Sequence, residues 1–313
     1  MNDPLPTVAI VIPVFNEEQV LPELIDRLET LFAREAGNAW RAIFVNDGSR
    51  DRSAELVATL RRRDPRFELL ELSRNFGFQS ALAAGLARAQ GSDAAVTMDA
   101  DLQDPPELIP ELVAAWRAGA EVVRAVRRSR QETGVRRAGF DLFHAVFGKL
   151  TDTPMEPNTG TFGLLGRNAL EAFVQLPERH RFFPGLRSWI GFTTADVTYD
   201  RQERAAGKPK QTFRRLIRYA VDGFFSFSYL PLRFLTDTGL LVSGLGFALG
   251  LFFIVKRLLG IETATTGFTT LVSLVTFLGG IQLIGIGILG EDLGRVYDEV
   301  KQRPIYLVKP PRR

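Results

Sequence analysis

Two apolar runs, Leu235–Val255 and Phe268–Leu289, constrain this chain more than any other feature of its sequence. Each holds about 20 residues, enough at roughly 1.5 Å per residue to cross a hydrocarbon core of roughly 30 Å as a helix. Asp237 stands near the start of the first run, at headgroup depth, and the second run carries no charge. A hairpin buried in a globular core is the alternative, but two such runs joined by a short linker favour the bilayer. Gly246-x-x-x-Gly250 and Gly279, Gly280, Gly285 and Gly287 permit close helix contact, and so a homo-oligomer, without requiring one. Arg214, Arg215, Arg218 and Arg233 precede the first run, and Arg295, Lys301, Arg303, Lys309, Arg312 and Arg313 follow the second. Only Lys256 and Arg257 lie between them, so both termini are expected on the cytoplasmic side.

The first 200 or so residues obey a different rule. Short β-branched runs (Val8–Val14, Ala42–Asn46, Glu68–Leu72, Ala94–Met98, Glu121–Val126) alternate with helical patterns near Glu17–Phe32, Arg52–Arg63, Gln79–Ala89 and Pro106–Ala118. Strand followed by helix, repeated, predicts an α/β domain with a mostly parallel, doubly wound sheet. Ligands of such sheets sit beyond the carboxyl ends of the strands, which puts Asn16, Asp47, Arg74–Asn75 and Asp99–Asp101 at one rim. Between the halves, Phe213, Leu216, Ile217, Ala220, Val221, Phe224 and Phe227 recur at helical spacing, opposite Arg214, Arg218 and Asp222. This predicts an amphipathic helix lying in the membrane interface, or else packed on the α/β domain. The expected organisation is a cytoplasmic domain over 1–211, an interfacial helix over 212–232, a two-helix transmembrane hairpin over 233–291 and a tail over 292–313.

Composition excludes several classes. With 39 Lys+Arg against 36 Asp+Glu there is no basic excess of the size that nucleic acid demands, and with no cysteine there is neither a disulfide frame nor a thiolate zinc site. The N-terminus, with Asp3, Pro4 and Pro6, does not read as a signal peptide. His144 and His180 show no ligand spacing.

The strongest chemical signal is Met98-Asp99-Ala100-Asp101-Leu102-Gln103-Asp104 at a strand's end. Two carboxylates one residue apart can grip Mg²⁺ or Mn²⁺ bridging a diphosphate, and so neutralise a departing nucleotide. Turns are rich in aspartate, so the motif alone is weak. Two others accompany it: Pro13-Val14-Phe15-Asn16-Glu17-Glu18 and Val45-Asn46-Asp47-Gly48-Ser49-Arg50-Asp51. Asp47 could accept hydrogen bonds from a uracil imide or a ribose, with Gly48 letting the backbone approach the ligand. Asn16 and Ser49 would equally serve as helix N-caps. Seven Lys/Arg between Arg201 and Arg218 form a positive strip suited to a lipid phosphate, or to anionic headgroups in general.

These motifs, in this order, resemble glycosyltransferase family 2 with the nucleotide-binding GT-A fold. Ser73-Arg74-Asn75-Phe76-Gly77 and Met98 through Glu107 resemble its polyprenyl-phosphate branch, the dolichol-phosphate mannose synthases and bacterial undecaprenyl-phosphate glucosyltransferases. Arg204-x-x-Gly207-x-x-Lys210, Asp222-Gly223, Ser226-Phe227-Ser228 and the tail from Gly290 to Tyr306 are similar to the two-span bacterial members. The Q-x-x-R-W motif of processive members is missing, since Leu186-Arg187-Ser188-Trp189 lacks its glutamine. The resemblance implies donor contacts at Pro13, Asn16, Glu17, Asp47, Asn75, Gln79, Asp99 and Arg127, with Arg128 and Arg130 as alternatives to the last. It implies a metal and diphosphate site at Asp99, Asp101 and Gln103. Catalytic roles fall to Asp101, Arg204, Lys210 and Thr161, the arginine and lysine meeting the acceptor phosphate or the leaving diphosphate. Many relatives have an aspartate, often considered a base, where this chain has Thr161; a lipid phosphate is already anionic and needs no base to attack.

The implied activity is inverting transfer of one sugar, glucose from UDP-glucose being favoured, to polyprenyl phosphate at the cytoplasmic face of a bacterial inner membrane. Transfer from GDP-mannose or an amino-sugar donor is the alternative within enzymes. A non-catalytic scaffold is disfavoured by the intact Asp99, Asp101, Arg204 and Lys210. A transporter is disfavoured by two spans without an internal repeat.

Overall fold

The computed structural model describes residues 5–128, 159–179, 181–200, 230–259 and 267–310. By contact it divides into two compact units, Met1–Gly223 together with Arg303–Arg313, and Phe224–Gln302.

The first unit is an α/β domain. Its strands are β1 (Thr7–Val14), β2 (Ala39–Asn46), β3 (Phe67–Glu71), β4 (Ala94–Thr97), β5 (Val122–Arg127), β6 (Thr159–Gly166) and β7 (Thr194–Tyr199). The helices between them are α1 (Leu21–Arg34), α2 (Ser53–Arg63), α3 (Phe78–Ala89), α4 (Ile109–Arg117), α5 (Arg167–Gln175) and α6 (Phe183–Trp189). The sheet runs in the order β3-β2-β1-β4-β6-β5-β7. All pairs are parallel except the two that β6 makes, with β4 and with β5. The mostly parallel sheet expected from the sequence is therefore present, with an antiparallel strand inserted beside β4. Neither β6 nor β7 stood among the expected strands. The segment Thr159–Gly166 holds glycines at 160, 163 and 166, which weaken a strand pattern and mark places where something approaches the backbone closely.

The faces of the sheet are built differently. On one, Val8, Ile10, Ile12 and Val14 of β1 pack with Leu21, Leu24 and Leu28 of α1 and with Phe44 and Phe67, all fully buried. On the other, α3 lies so close that a Cβ at Gly85 would come within 2.2 Å of Val11 Cγ1 and 2.9 Å of Val45 Cγ2. Its run of Ala81, Ala83, Ala84 and Gly85 is the sequence cause of that approach.

The edge strand β3 is covered by the far end of the chain. Val308 bridges Leu72 in antiparallel sense, the Ser73 N–H donates to the Leu307 carbonyl at 2.8 Å, and the Lys309 N–H donates to the Glu71 carbonyl at 2.8 Å.

The second unit contains α7 (Leu230–Leu258) and α8 (Phe268–Val300), 29 and 33 residues long. The two apolar runs of the sequence fall within them. Leu240, Leu245, Phe247 and Leu251 on α7, and Leu274, Phe277, Leu283 and Ile286 on α8, are each more than half exposed. Among the described residues one stretch, Phe277–Val300, is long and apolar enough to cross a membrane, with a mean hydropathy of 1.3. The expected interfacial helix lies outside the described residues from 212 to 229, and its last residues form the start of α7.

Candidate active site

Three loops meet at the carboxyl ends of β1, β2 and β4. The first two are stitched together by side chains. The Asn16 N–H donates to Ser49 Oγ at 3.0 Å and the Arg50 N–H to Asn16 Oδ1 at 2.8 Å. The Glu17 N–H donates to Ser53 Oγ at 2.9 Å, and within the second loop the Ser49 N–H donates to Asn46 Oδ1 at 2.9 Å. Asn16 is held at φ 55°, a left-handed conformation that asparagine tolerates better than most residues. The N-cap reading of Asn16 and Ser49 is not what forms. Val20 and Arg52 occupy the caps of α1 and α2 without side-chain capping bonds, because both polar side chains are spent on cross-loop bonds.

Asp47, at the end of β2, is buried. The Phe76 N–H donates to its Oδ1 at 2.7 Å and the Gly77 N–H to its Oδ2 at 3.0 Å. Burial pushes its carboxyl above the ordinary aspartate value; the two amides and Arg74 pull the other way without winning. Gly48 has φ 70°, and a Cβ there would fall 2.6 Å from the Asn75 backbone nitrogen. The room that Gly48 makes is thus taken by the Arg74–Asn75 backbone, so Asp47 and Gly48 together hold the loop 73–77 in place. Pro13 is buried within β1, opposite Val45 of β2. Gln79, on the first turn of α3, accepts through Oε1 from the Phe183 N–H at 3.3 Å, which ties α3 to α6.

The loop after β4 carries the acidic cluster. Leu102 at φ 58° turns the chain back, and the Gln103 N–H donates to Asp101 Oδ1 at 3.2 Å. The Thr161 hydroxyl, near the start of β6, donates to Asp99 Oδ1 at 3.2 Å. Thr161 is itself placed by Thr97 of β4, whose hydroxyl donates to the Thr161 carbonyl. Burial, followed by the neighbouring carboxylates of Asp104 and Asp101, pushes Asp99 up to about 7.

Asp104 and Tyr199 are the residues that sequence reading passed over. Asp104 has no exposed surface, and its Oδ1 accepts from the Tyr199 hydroxyl. Arg127 Nε donates to the same hydroxyl at 3.2 Å, and its guanidinium stands 3.8 Å from Asp104 Oδ1. Gly160 leaves room for it, since a Cβ there would be 2.9 Å from Arg127 Nη2. The expected phosphate neighbour Arg127 is therefore anchored through Asp104 and Tyr199 beside the Asp99 cluster. An aspartate three residues beyond Asp101 was visible in the motif; nothing in the sequence linked it to a tyrosine 95 residues away.

The structure thus gathers Asp99, Asp101, Gln103, Thr161 and Arg127 into one cluster, and joins Asn16 to the β2–α2 loop and Glu17 to the first residue of α2. Arg204, Lys210, Arg130, His144 and His180 lie outside the described residues. Among the described residues no group of three or more His, Cys, Asp or Glu is arranged to hold a metal ion. The cluster fits a hard divalent cation through two carboxylates, Asp99 and Asp101, whose mutual repulsion such an ion would relieve.

Residues 9–173 match the family described as glycosyl transferase family 2. The chain belongs to that family. An uncharacterized glycosyltransferase of Synechocystis is 45% identical over 303 residues, spanning 96% of this chain and 94% of that one. A prophage bactoprenol glucosyl transferase homolog of Escherichia coli is 40% identical over 306 residues, 96% of this chain and 98% of that one. The bactoprenol glucosyl transferase of Shigella phage SfV is 40% identical over the same length and shares. Among solved structures, the glucosyl-3-phosphoglycerate synthase of Mycobacterium tuberculosis is similar at 20% identity and a TM-score of 0.47, over 69% of this chain and 75% of that one.

Proposed function

We propose that this family 2 glycosyltransferase moves one glucosyl unit from UDP-glucose to undecaprenyl phosphate, with inversion, at the cytoplasmic face of a bacterial inner membrane. The observation that carries the reading is identity of 40% along nearly the whole chain to bactoprenol glucosyl transferases, not only within the α/β domain. The acceptor is read from relatives whose match runs through α7 and α8 as well. The exposed apolar faces of those helices support a hairpin in which both cross the bilayer, since patches of that extent need a non-aqueous neighbour.

In this reading an anionic oxygen of the lipid phosphate forms a bond to the anomeric carbon. The bond from that carbon to the β-phosphate oxygen breaks, and UDP leaves with the electron pair. No proton has to move, so the site works by position and charge. Mg²⁺ or Mn²⁺ held by Asp99 and Asp101, with Gln103, would neutralise the departing diphosphate when bound. Thr161 orients Asp99 through its hydroxyl. Arg127, held by Asp104 and Tyr199, offers positive charge beside the phosphates, and Arg204 and Lys210 are assigned to the acceptor phosphate.

Purified protein given polyprenyl phosphate and labelled UDP-glucose, GDP-mannose or UDP-N-acetylglucosamine tests the donor. Glucose should appear in the lipid fraction at least about tenfold faster than the other sugars, the low end of what a difference in pocket contacts imposes. Faster transfer from either competitor overturns the donor, and no lipid-linked sugar from any of the three overturns the reaction.

Thr161→Asp separates positioning from base catalysis. It would add a carboxylate where the Thr161 hydroxyl now stands 3.2 Å from Asp99 Oδ1, beside a group whose carboxyl Asp104 and Asp101 already raise. Turnover should fall or stay level between pH 7 and pH 9. A rise of orders of magnitude would show that the native site lacks a base it needs.

A further inference from the structure

The geometry points to the C-terminal segment 303–309 as a positioning element of the donor site: by pairing at the end of β3, through the Leu72–Val308 bridge, it seats the loop 73–77 against Asp47, so donor affinity depends on its docking. This rests on the reading of the Asp47 loop as part of the donor site.

An edge strand exposes a row of unpaired backbone groups, and a peptide laid along it gains affinity from main-chain hydrogen bonds. Here the chain supplies its own peptide. The two bonds from Ser73 and Lys309 flank the Leu72–Val308 bridge, and Lys309 Nζ adds a contact with Glu71 at 3.6 Å. The other end of the segment is held as well. Arg179 donates to the Arg303 carbonyl, and Tyr306 is half-buried where it feels the charge of Arg181. Leu307 and Val308 stay 53% and 45% exposed, so at the bridge itself the backbone pairing does the holding.

The place of attachment gives the pairing its consequence. Ser73, bonded to Leu307, is the first residue of the loop whose Phe76 and Gly77 amides clasp Asp47 and whose Asn75 backbone abuts Gly48. With the segment docked, Leu72 is bridged one residue past the end of β3 and the loop leaves it in a fixed direction. Without it, Leu72 and Ser73 lose their pairing on that side, and the clasp on Asp47 must hold the loop alone. The segment touches neither the acidic cluster nor Thr161 through any of these bonds, so the chemical step should not feel it.

The test uses full-length protein in detergent micelles. Lys309→Pro removes the N–H that reaches Glu71, while Lys309→Ala keeps it and loses only the surface ion pair. Lys309→Pro should raise the KM for UDP-glucose about tenfold, the scale of one or two lost backbone bonds, with kcat and the acceptor KM within about twofold of wild type. Lys309→Ala should match wild type. In a chain ending at Gln302, a synthetic peptide of residues 303–313 should restore the donor KM. Hydrogen exchange at the Phe76 and Gly77 amides, which needs no substrate, should quicken in Lys309→Pro and in the shortened chain. Unchanged exchange at these amides, an unchanged donor KM, or a change in kcat or acceptor KM instead would overturn the assignment. If the wild-type chain transfers no glucose, the functional reading fails, and the exchange experiment still decides whether the segment holds the loop.

Discussion

Asp101→Ala is expected to lower glucose transfer by about a thousandfold or more, because charge stabilisation of a leaving group is the largest single contribution this kind of site makes. The residue is 8% exposed and lies in the loop after β4, where its Oδ1 accepts from the Gln103 amide, so its loss should leave the sheet intact. It also removes one of the two carboxylates that raise Asp99, and the Asp99 carboxyl should drop below its present value of about 7. Melting temperature should therefore stay level or rise while turnover collapses. Chelator should reproduce the collapse in the wild-type protein and add nothing to the variant. Transfer within about tenfold of wild type, in either the variant or the chelated protein, would remove the metal-bridged diphosphate from the mechanism.

The order of strands and helices up to β5 was legible because the chain obeys a local rule there. Each β-branched run is succeeded by an amphipathic stretch, and parallel strands need such crossovers. Past β5 the chain breaks that rule. β6 returns antiparallel between β4 and β5, and its register is fixed by distant partners rather than by its own composition. The pairing of Leu307 and Lys309 with β3 was equally invisible, since a seven-residue segment with two exposed apolar side chains carries no strand signal of its own.

The site divides in the same way. Asp99, Asp101 and Asp47 could be placed at the rim because they sit at strand ends, and strand ends can be read locally. The bonds of Asp47 could not be foreseen. Both of its oxygens are taken by backbone amides about 30 residues further along the chain, which makes its first duty the shape of the 73–77 loop. Thr161 was placed by resemblance alone; its bond to Asp99 spans 62 residues and depends on β6 lying beside β4.

Arg187→Met is expected to stabilise the α/β domain, although it removes a charged residue from its interior. Arg187 is 2% exposed, and none of its three guanidinium nitrogens has a hydrogen-bond partner among the described residues. The Asp196 carboxylate that could balance it is already gripped by Arg124 at 2.7 and 2.9 Å, and Arg124 adds repulsion. Burial pushes the guanidinium down to about 9, so it still carries its charge at neutral pH. An uncompensated buried cation costs several kcal/mol, and replacing buried charge with an apolar side chain of similar volume gains about 1–4 kcal/mol. Methionine keeps the unbranched stem and a favourable contact with the Phe183 ring, over which the guanidinium now lies at 5.4 Å. A rise in melting temperature of a few degrees, roughly 2–4 °C per kcal/mol for a domain of this size, is the expected reading. Arg187→Ala should gain less or lose, because a cavity over Gly163, whose absent Cβ leaves space for Arg187 Nη1, would offset the relief. A melting temperature lowered by several degrees in the methionine variant would mean that the charge is compensated in solution, and that its burial is structural rather than a strain the fold tolerates.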